Sequence, residues 1–223
     1  GEYEYHVRAV APRRLSLIVG ATLGAALGAS DDASPVRSAP SYVYILRGRR
    51  GDMDALVVGG GVVGLSAAYS LADRGVDVTL VEKGSLGNAS TARSAGGIRS
   101  QFSTRVNVEL SLASKEVWNA FEERFGVDIG LRKNGYLFLA RSAETAAQFR
   151  ENVEMQRELG AESELLTPAE ATEHCPGIDP DRFRAATYNP DDGVADPNLA
   201  VQGYAAAARE AGVEIRTKTA VTD

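Results

Sequence analysis

The sequence predicts an α/β protein: a Rossmann-like βαβ dinucleotide-binding domain with an inserted antiparallel α+β domain. Three observations carry this. Residues 56–83 read LVVGGGVVGLSAAYSLADRGVDVTLVEK, an apolar run, a glycine cluster, a helical stretch and a second apolar run closed by an acid. Residues 126–195 mix short strand-like runs with turn signals and amphipathic stretches. After Asp196-Pro197 a helical pattern and another strand-like run follow, as expected for a return to the first sheet.

The βαβ unit has the makings of a phosphate cradle. Gly59, Gly61 and Gly64 form G-x-G-x-x-G directly after the first apolar run. The first glycine allows the tight turn out of the strand, the second lets backbone approach a pyrophosphate, and the third lets the helix pack close to the strand. The helix points its N-terminal N–H groups and the positive end of its dipole at the phosphates. Ala68 keeps the helix surface small against the sheet, and Gly75 ends it. Glu82 closes the second strand, 23 positions after Gly59. A carboxylate there accepts hydrogen bonds from ribose hydroxyls and repels a 2′-phosphate, which argues against NADP and leaves FAD and NAD open.

Residues 84–103 (GSLGNASTARSAGGIRSQFS) are rich in Gly, Ser and Ala. They follow the second strand directly, beside the expected cofactor, where small residues admit a flat ring and hydroxyls reach phosphate oxygens. Helical spacing resumes at Thr104, with Val106, Leu110, Ala113, Val117 and Phe121 forming one stripe up to Gly126. Residues 127–129 and 135–140 read as strands joined across Lys133-Asn134-Gly135. Residues 143–159 form an amphipathic helix, and Thr167-Pro168-Ala169-Glu170 has the form of a capping box. Residues 183–188 read as a strand, Asp191-Asp192-Gly193 as a turn, and Asp196-Pro197 as the start of a helix to about Ala211. Residues 213–217 read as a strand, and 219–221 as the beginning of another. The expected domains are an extension over 1–52, the nucleotide-binding domain over 53–125 and 196–223, and the insertion over 126–195.

Composition narrows the function. The 223 residues are 44% hydrophobic and carry a net charge of −6, so nucleic-acid binding has no electrostatic support. The single cysteine, Cys175, excludes a disulfide within the chain and fits a reducing compartment. His6 and His174 are far apart, and no Cys/His spacing suits zinc, so no metal is expected. Residues 1–52 differ in character, with seven arginines against five acids. They read as an extension upstream of Met53, without regular structure, which places the protein in the cytoplasm. The alternative is a signal-like segment over residues 13–30, where Arg13-Arg14 precedes an apolar run; that would imply export or membrane association.

With these residues in view, the chain resembles the FAD-dependent oxidoreductases of the D-amino-acid oxidase family, which includes glycine oxidase and the sarcosine oxidases. Four blocks carry the resemblance: VVGGGVVGLSAAYSLADRGVDVTLVEK, STARSAGGIR, NGYLFLA and DDGVADPNLAVQGYAAAAREAGVEI. It runs from about Met53 to the last residue. It implies FAD as cofactor, with Gly59, Gly61 and Gly64 facing the pyrophosphate and Glu82 holding the adenosine ribose beside Lys83. It further implies that Ser90 and Thr91 contact phosphate, and that Ala95, Gly96 and Gly97 pass next to the isoalloxazine ring. Val221 would contact adenine through its backbone. Arg99, the candidate catalytic residue, would lie close to the flavin as a positive charge that favours the reduced anionic ring.

The implied reaction is oxidation of the C–N bond of a small amino acid or N-methyl amine, with hydride passing to flavin N5. Arg93 stands where some relatives carry a histidine that binds flavin covalently, so non-covalent FAD is expected. Relatives continue well beyond Asp223 with a second flavin-binding segment and most substrate contacts. The chain alone is therefore expected to bind FAD weakly and to be inactive. The expected partners are the amine substrate and an electron acceptor, which can be a protein. Two other readings remain: a non-catalytic flavoprotein serving assembly on the same fold, and an NAD-dependent dehydrogenase.

Overall fold

The computed structural model describes residues 16–19, 42–47 and 53–222. In chain order the strands are β1 (Ser16–Val19), β2 (Tyr42–Arg47), β3 (Met53–Val58), β4 (Asp77–Val81), β5 (Gly97–Ile98), β6 (Tyr136–Ala140), β7 (Glu164–Leu166), β8 (Ala185–Asn189), β9 (Gly193–Val194) and β10 (Glu214–Arg216). The helices are α1 (Val62–Ala72), α2 (Arg105–Asn119), α3 (Phe121–Phe125), α4 (Ala143–Glu158), α5 (Pro168–His174) and α6 (Pro197–Glu210). They divide into two compact units, one holding residues 16–19, 42–47, 53–93 and 200–222, the other residues 94–199. The domain boundary expected at 125/126 thus falls inside the second unit.

The first unit is a five-stranded sheet in the order β1-β2-β3-β4-β10. The predicted β3-α1-β4 unit forms with β3 and β4 parallel, Asp54 opposite Asp77 and Val58 opposite Val81. Val57, Leu65, Ala68 and Leu80 are fully buried between sheet and helix, which is why the strands read as near-continuous apolar runs. The return predicted after Asp196 is also found, since β10 adds parallel to β4 with Ile215 opposite Leu80. Ala200, Val201, Tyr204, Ala205 and Ala208 of α6 are buried as well.

Three expectations need correction in detail. β2 pairs antiparallel with β3 and β1 with β2, so the extension read as lacking regular structure supplies two strands; the remainder of 1–52 lies outside the described residues. Backbone groups on a sheet edge accept any extended neighbour, which the side-chain pattern of 1–52 did not advertise. Residues 127–129 form no strand, and residues 219–221 form none either. The chain at 127–132 instead runs out to a single bridge between Arg132 and Val194, so Lys133-Asn134-Gly135 does not close a hairpin.

The second unit is a three-stranded antiparallel sheet, β6-β8-β7, with a separate β5-β9 pair. Ala140, Ala146 and Ala185 pack with Phe149 where α4 crosses this sheet. Phe102, Val108 and Ala161 form a second cluster with Leu112, Met155 and Leu159. α4 starts at Ser142, whose hydroxyl accepts from Thr145 N. The predicted capping box forms at α5, where Thr167 and Glu170 bond each other's backbone N–H. The backbone bond from Thr167 holds the Glu170 carboxyl below its ordinary pKa. The short strand β7 carries no alternation in its three residues and was not predicted.

Candidate functional site

In the first unit the three predicted glycines, Glu82 and Thr91 come together. Gly59 turns out of β3 with φ of +107°, and its N–H donates to Val81 O at 2.8 Å. The helix α1 follows Gly61, a cap residue with no side chain of its own to offer, and has no acidic residue in its first turn. Nothing in that turn competes with an anion for the helix dipole. Gly61 lies close to Thr91, where an added Cβ would be 3.1 Å from Oγ1. Val62 N donates to the same Thr91 Oγ1 at 3.2 Å. A hydroxyl that accepts from the backbone still has its O–H to donate. Thr91 therefore keeps a donor for a phosphate oxygen.

Glu82 is held by backbone on every side. Its Oε2 accepts from Gly60 N at 2.8 Å and its Oε1 from Gly84 N at 2.7 Å. Its own N–H donates to Arg216 O, and its carbonyl accepts from Thr219 N. Each carboxylate oxygen can accept a further bond, so the acid is oriented and still able to receive ribose hydroxyls. Gly60 and Gly84 are members of this arrangement that the sequence reading passed over. The signal for Gly60 was its place between Gly59 and Gly61; for Gly84 there was only adjacency to Lys83. Lys83 and Ser90 are exposed, and Val221 is exposed at the end of the described chain.

Ala95, Gly96, Gly97 and Arg99 belong to the second unit. Gly96 has φ of +73°, and a Cβ there would come within 1.9 Å of Ala195 O. Gly97 is pressed by Tyr136, whose Oη would be 2.6 Å from an added Cβ. Ala95 is exposed. A glycine at 96 is thus demanded by packing within the unit itself, while a side chain at 97 would have to displace the Tyr136 hydroxyl.

The Arg99 guanidinium lies over two rings, 4.8 Å from the centre of Phe102 and 5.1 Å from that of Phe138. It lines a cavity of about 170 Å³ together with Gln101, Phe102, Phe138, Gln156 and Thr187. Two buried acceptors on its lining residues, Gln101 Oε1 and Gln156 Oε1, have no hydrogen-bond partner among the described residues. Their amide nitrogens are engaged, Gln101 with Tyr136 O and Asp192, Gln156 with Phe102 O.

Next to this segment lies a charged cluster that the sequence reading missed. Lys115 Nζ is 2.7 Å from Asp191 Oδ2 and 3.0 Å from Asp192 Oδ1. Burial raises the Asp191 carboxyl, but Lys115 and Lys133 outweigh it and leave the group below its ordinary pKa. Asp191-Asp192-Gly193 was legible only as a turn, and a lysine on α2 reads as solvent-facing. Among the described residues no group of three or more His, Cys, Asp or Glu could hold a metal ion. Nor is any helix there long and apolar enough to cross a membrane.

Comparison with known proteins supplies what the geometry leaves open. The family model described as "FAD dependent oxidoreductase" matches residues 54–223. FAD-dependent oxidoreductase domain-containing protein 1 of Xenopus laevis is 36% identical over 173 residues, covering 72% of this chain and 34% of its own. Glycine oxidase of Geobacillus kaustophilus is 36% identical over 178 residues, covering 76% of this chain and 47% of its own. The crystal structure of L-proline dehydrogenase from P. horikoshii superposes with a TM-score of 0.69 at 40% identity, covering 75% of this chain and 44% of that one. The chain spans between a third and a half of the length of these relatives.

Proposed function

Since the chain belongs to the FAD dependent oxidoreductase family, we propose that the whole protein oxidises the C–N bond of a small amino acid or N-methyl amine. The cofactor of this family is FAD, and when bound it would take up the two electrons lost as C–N becomes C=N. The residues present suit it. The observation that carries the reading is the Glu82 carboxylate, fixed by Gly60 N and Gly84 N next to a helix start with no acid in its first turn. Gly59, Gly61 and Gly64 would leave room for the pyrophosphate, and Ser90 and Thr91 would donate to its oxygens. Glu82, beside Lys83, would hold the ribose, and the backbone of Val221 would meet adenine. Ala95, Gly96 and Gly97 would pass by the ring.

The substrate class is supported by the Arg99 cavity and by the relatives. The Arg99 guanidinium lines this cavity and offers a charged fork to the carboxylate of a small amino acid. The relatives named glycine oxidase and L-proline dehydrogenase act on such compounds by their names. Arg99 would also supply positive charge to the reduced ring.

The test is spectroscopic. The whole protein should purify yellow, and glycine, sarcosine or proline should bleach its flavin absorbance under anaerobic conditions. Glu82→Gln should weaken FAD binding about tenfold or more, since hydrogen bonds to a charged acceptor contribute about 1.5–3 kcal/mol. A yellow protein bleached by none of a panel of small amino acids and N-methyl amines would favour the non-catalytic assembly role. A colourless protein that binds NAD would overturn the reading.

A further inference from the structure

A buried ion pair stands behind the segment that carries Arg99. Asp192 is 0% exposed and Lys115 4%. The Asp192 carboxylate accepts from Ser100 N at 2.8 Å, Ser100 Oγ at 3.1 Å and Gln101 Nε2 at 3.2 Å, in addition to Lys115 Nζ at 3.0 Å. Ser100 Oγ in turn accepts from Asn189 Nδ2, and Asn189 Oδ1 accepts from Asp191 N. Just before Arg99, β5 is paired with β9, Gly97 opposite Val194 and Ile98 opposite Gly193. Just after it, Ser100 and Gln101 are bound to Asp192. Residues 97–101 are therefore gripped on both sides of Arg99 by one short stretch, Asp192 to Val194.

An ion pair this buried adds little net stability, because desolvation offsets the attraction; its partners are costly only when separated. Its consequence here is geometric. Four donors converge on one carboxylate, and three of them come from the two residues after Arg99. We propose that Asp192, charge-balanced by Lys115, is a positioning residue: it fixes residues 97–101 and thereby the direction in which Arg99 presents its guanidinium. The part of this that concerns flavin rests on the role given to Arg99 above; the clamp on residues 97–101 does not.

Amide hydrogen exchange on the full chain tests the clamp without any cofactor. The Ser100 amide should exchange as slowly as the amides of β6, although it lies in an irregular segment. In Asp192→Leu with Lys115→Met, which removes both charges and every acceptor of that carboxylate, exchange at Ser100 should quicken at least ~10-fold while β6 stays within ~2-fold. Asp192→Asn with Lys115→Met keeps one acceptor oxygen and should restore slow exchange. Equal quickening in β6, or no restoration by asparagine, would overturn the proposal. If the leucine variant does not fold, the wild-type measurement decides: a Ser100 amide exchanging as fast as an exposed turn is equally fatal.

The link to Arg99 is read in the whole protein with FAD bound, as flavin midpoint potential. Arg99→Ala should lower the potential. The Asp192→Leu/Lys115→Met pair should lower it too in the Arg99 protein, but add nothing in the Arg99→Ala protein. Fully additive shifts would show that the pair does not act through Arg99. A wild-type protein that binds no FAD sinks the proposed function while leaving the exchange result to stand alone.

Discussion

At Gly64 the chain has no room for a side chain: a Cβ there would lie 1.9 Å from the Gly59 carbonyl oxygen. That oxygen belongs to backbone at the strand-to-helix turn, and the Cβ is fixed to the backbone of α1, so neither can move away alone. Gly64→Ala is expected to cost at least the roughly 1–3 kcal/mol of an overpacked core and to abolish FAD loading, checked by thermal unfolding and flavin fluorescence. Asp191 sets a different residue-scale expectation. Its carboxyl is held below its ordinary value by Lys115 and Lys133 against the opposing effect of burial. Its stabilising contribution is present above the unfolded carboxyl value of about 3.9 and is lost as the pH falls through the lower folded value. Lys133→Ala removes one of the two cations and should move that loss to higher pH. The Asp191 carboxyl carbon, followed by NMR from pH 2 to 6, should titrate at higher pH in the variant; an unchanged midpoint would show that Lys115 alone sets it.

Among the elements, α2 shows both how far the sequence reading reached and where it stopped. The helix was legible from its period, but the stripe read from it is exposed over its first half, with Val106 at 62% and Leu110 at 53% and Ala113 also exposed, while Val117 is half-buried and only Phe121, beyond the end of α2, is buried. The buried face carries Val108, Ser111 and Lys115. Apolar residues were weighted over a lysine, and that lysine is buried only because Asp192 lies 77 positions later in sequence. The β3-α1-β4 unit was legible in full because its signals are local: glycines at fixed offsets, one apolar helix face and one acid after β4. The pairing of β5 with β9 joins segments nearly a hundred residues apart, and two-residue strands carry no alternation to read. The α2 result gives a direct check. Val108→Ala should cost about 2 kcal/mol, from two lost methyl groups plus the space they leave. Val106→Ala should stay within about 0.5 kcal/mol. Denaturant midpoints of the two variants, compared at constant m-value, separate the faces; a larger loss at Val106 would mean that this stripe is covered in solution.

At the scale of the whole molecule, the first unit is assembled from pieces that are far apart in the chain. β10 is the neighbour of β4, in register from Glu214 opposite Thr79 to Arg216 opposite Val81. The stretch that includes it also holds the acid of the candidate site, since Glu82 N donates to Arg216 O, Thr219 N to Glu82 O and Lys218 N to Gly84 O. The nucleotide half of the site is therefore incomplete without residues that follow the second unit, although G-x-G-x-x-G and Glu82 are contiguous in sequence. Ending the chain at Leu199 would remove β10 and the buried face of α6, strip the backbone partners from Glu82 and leave the β4 edge open. Hydrogen exchange should then quicken across Asp77–Val81 and at Gly60 and Gly84, whose amides bond the Glu82 carboxylate. Tyr136–Ala140 and Ala185–Asn189 pair with each other in the second unit and should keep their protection. Slow exchange persisting through Asp77–Val81 would mean that β3 and α1 suffice to hold the acid. The site would then be a property of the contiguous βαβ unit rather than of the chain's return.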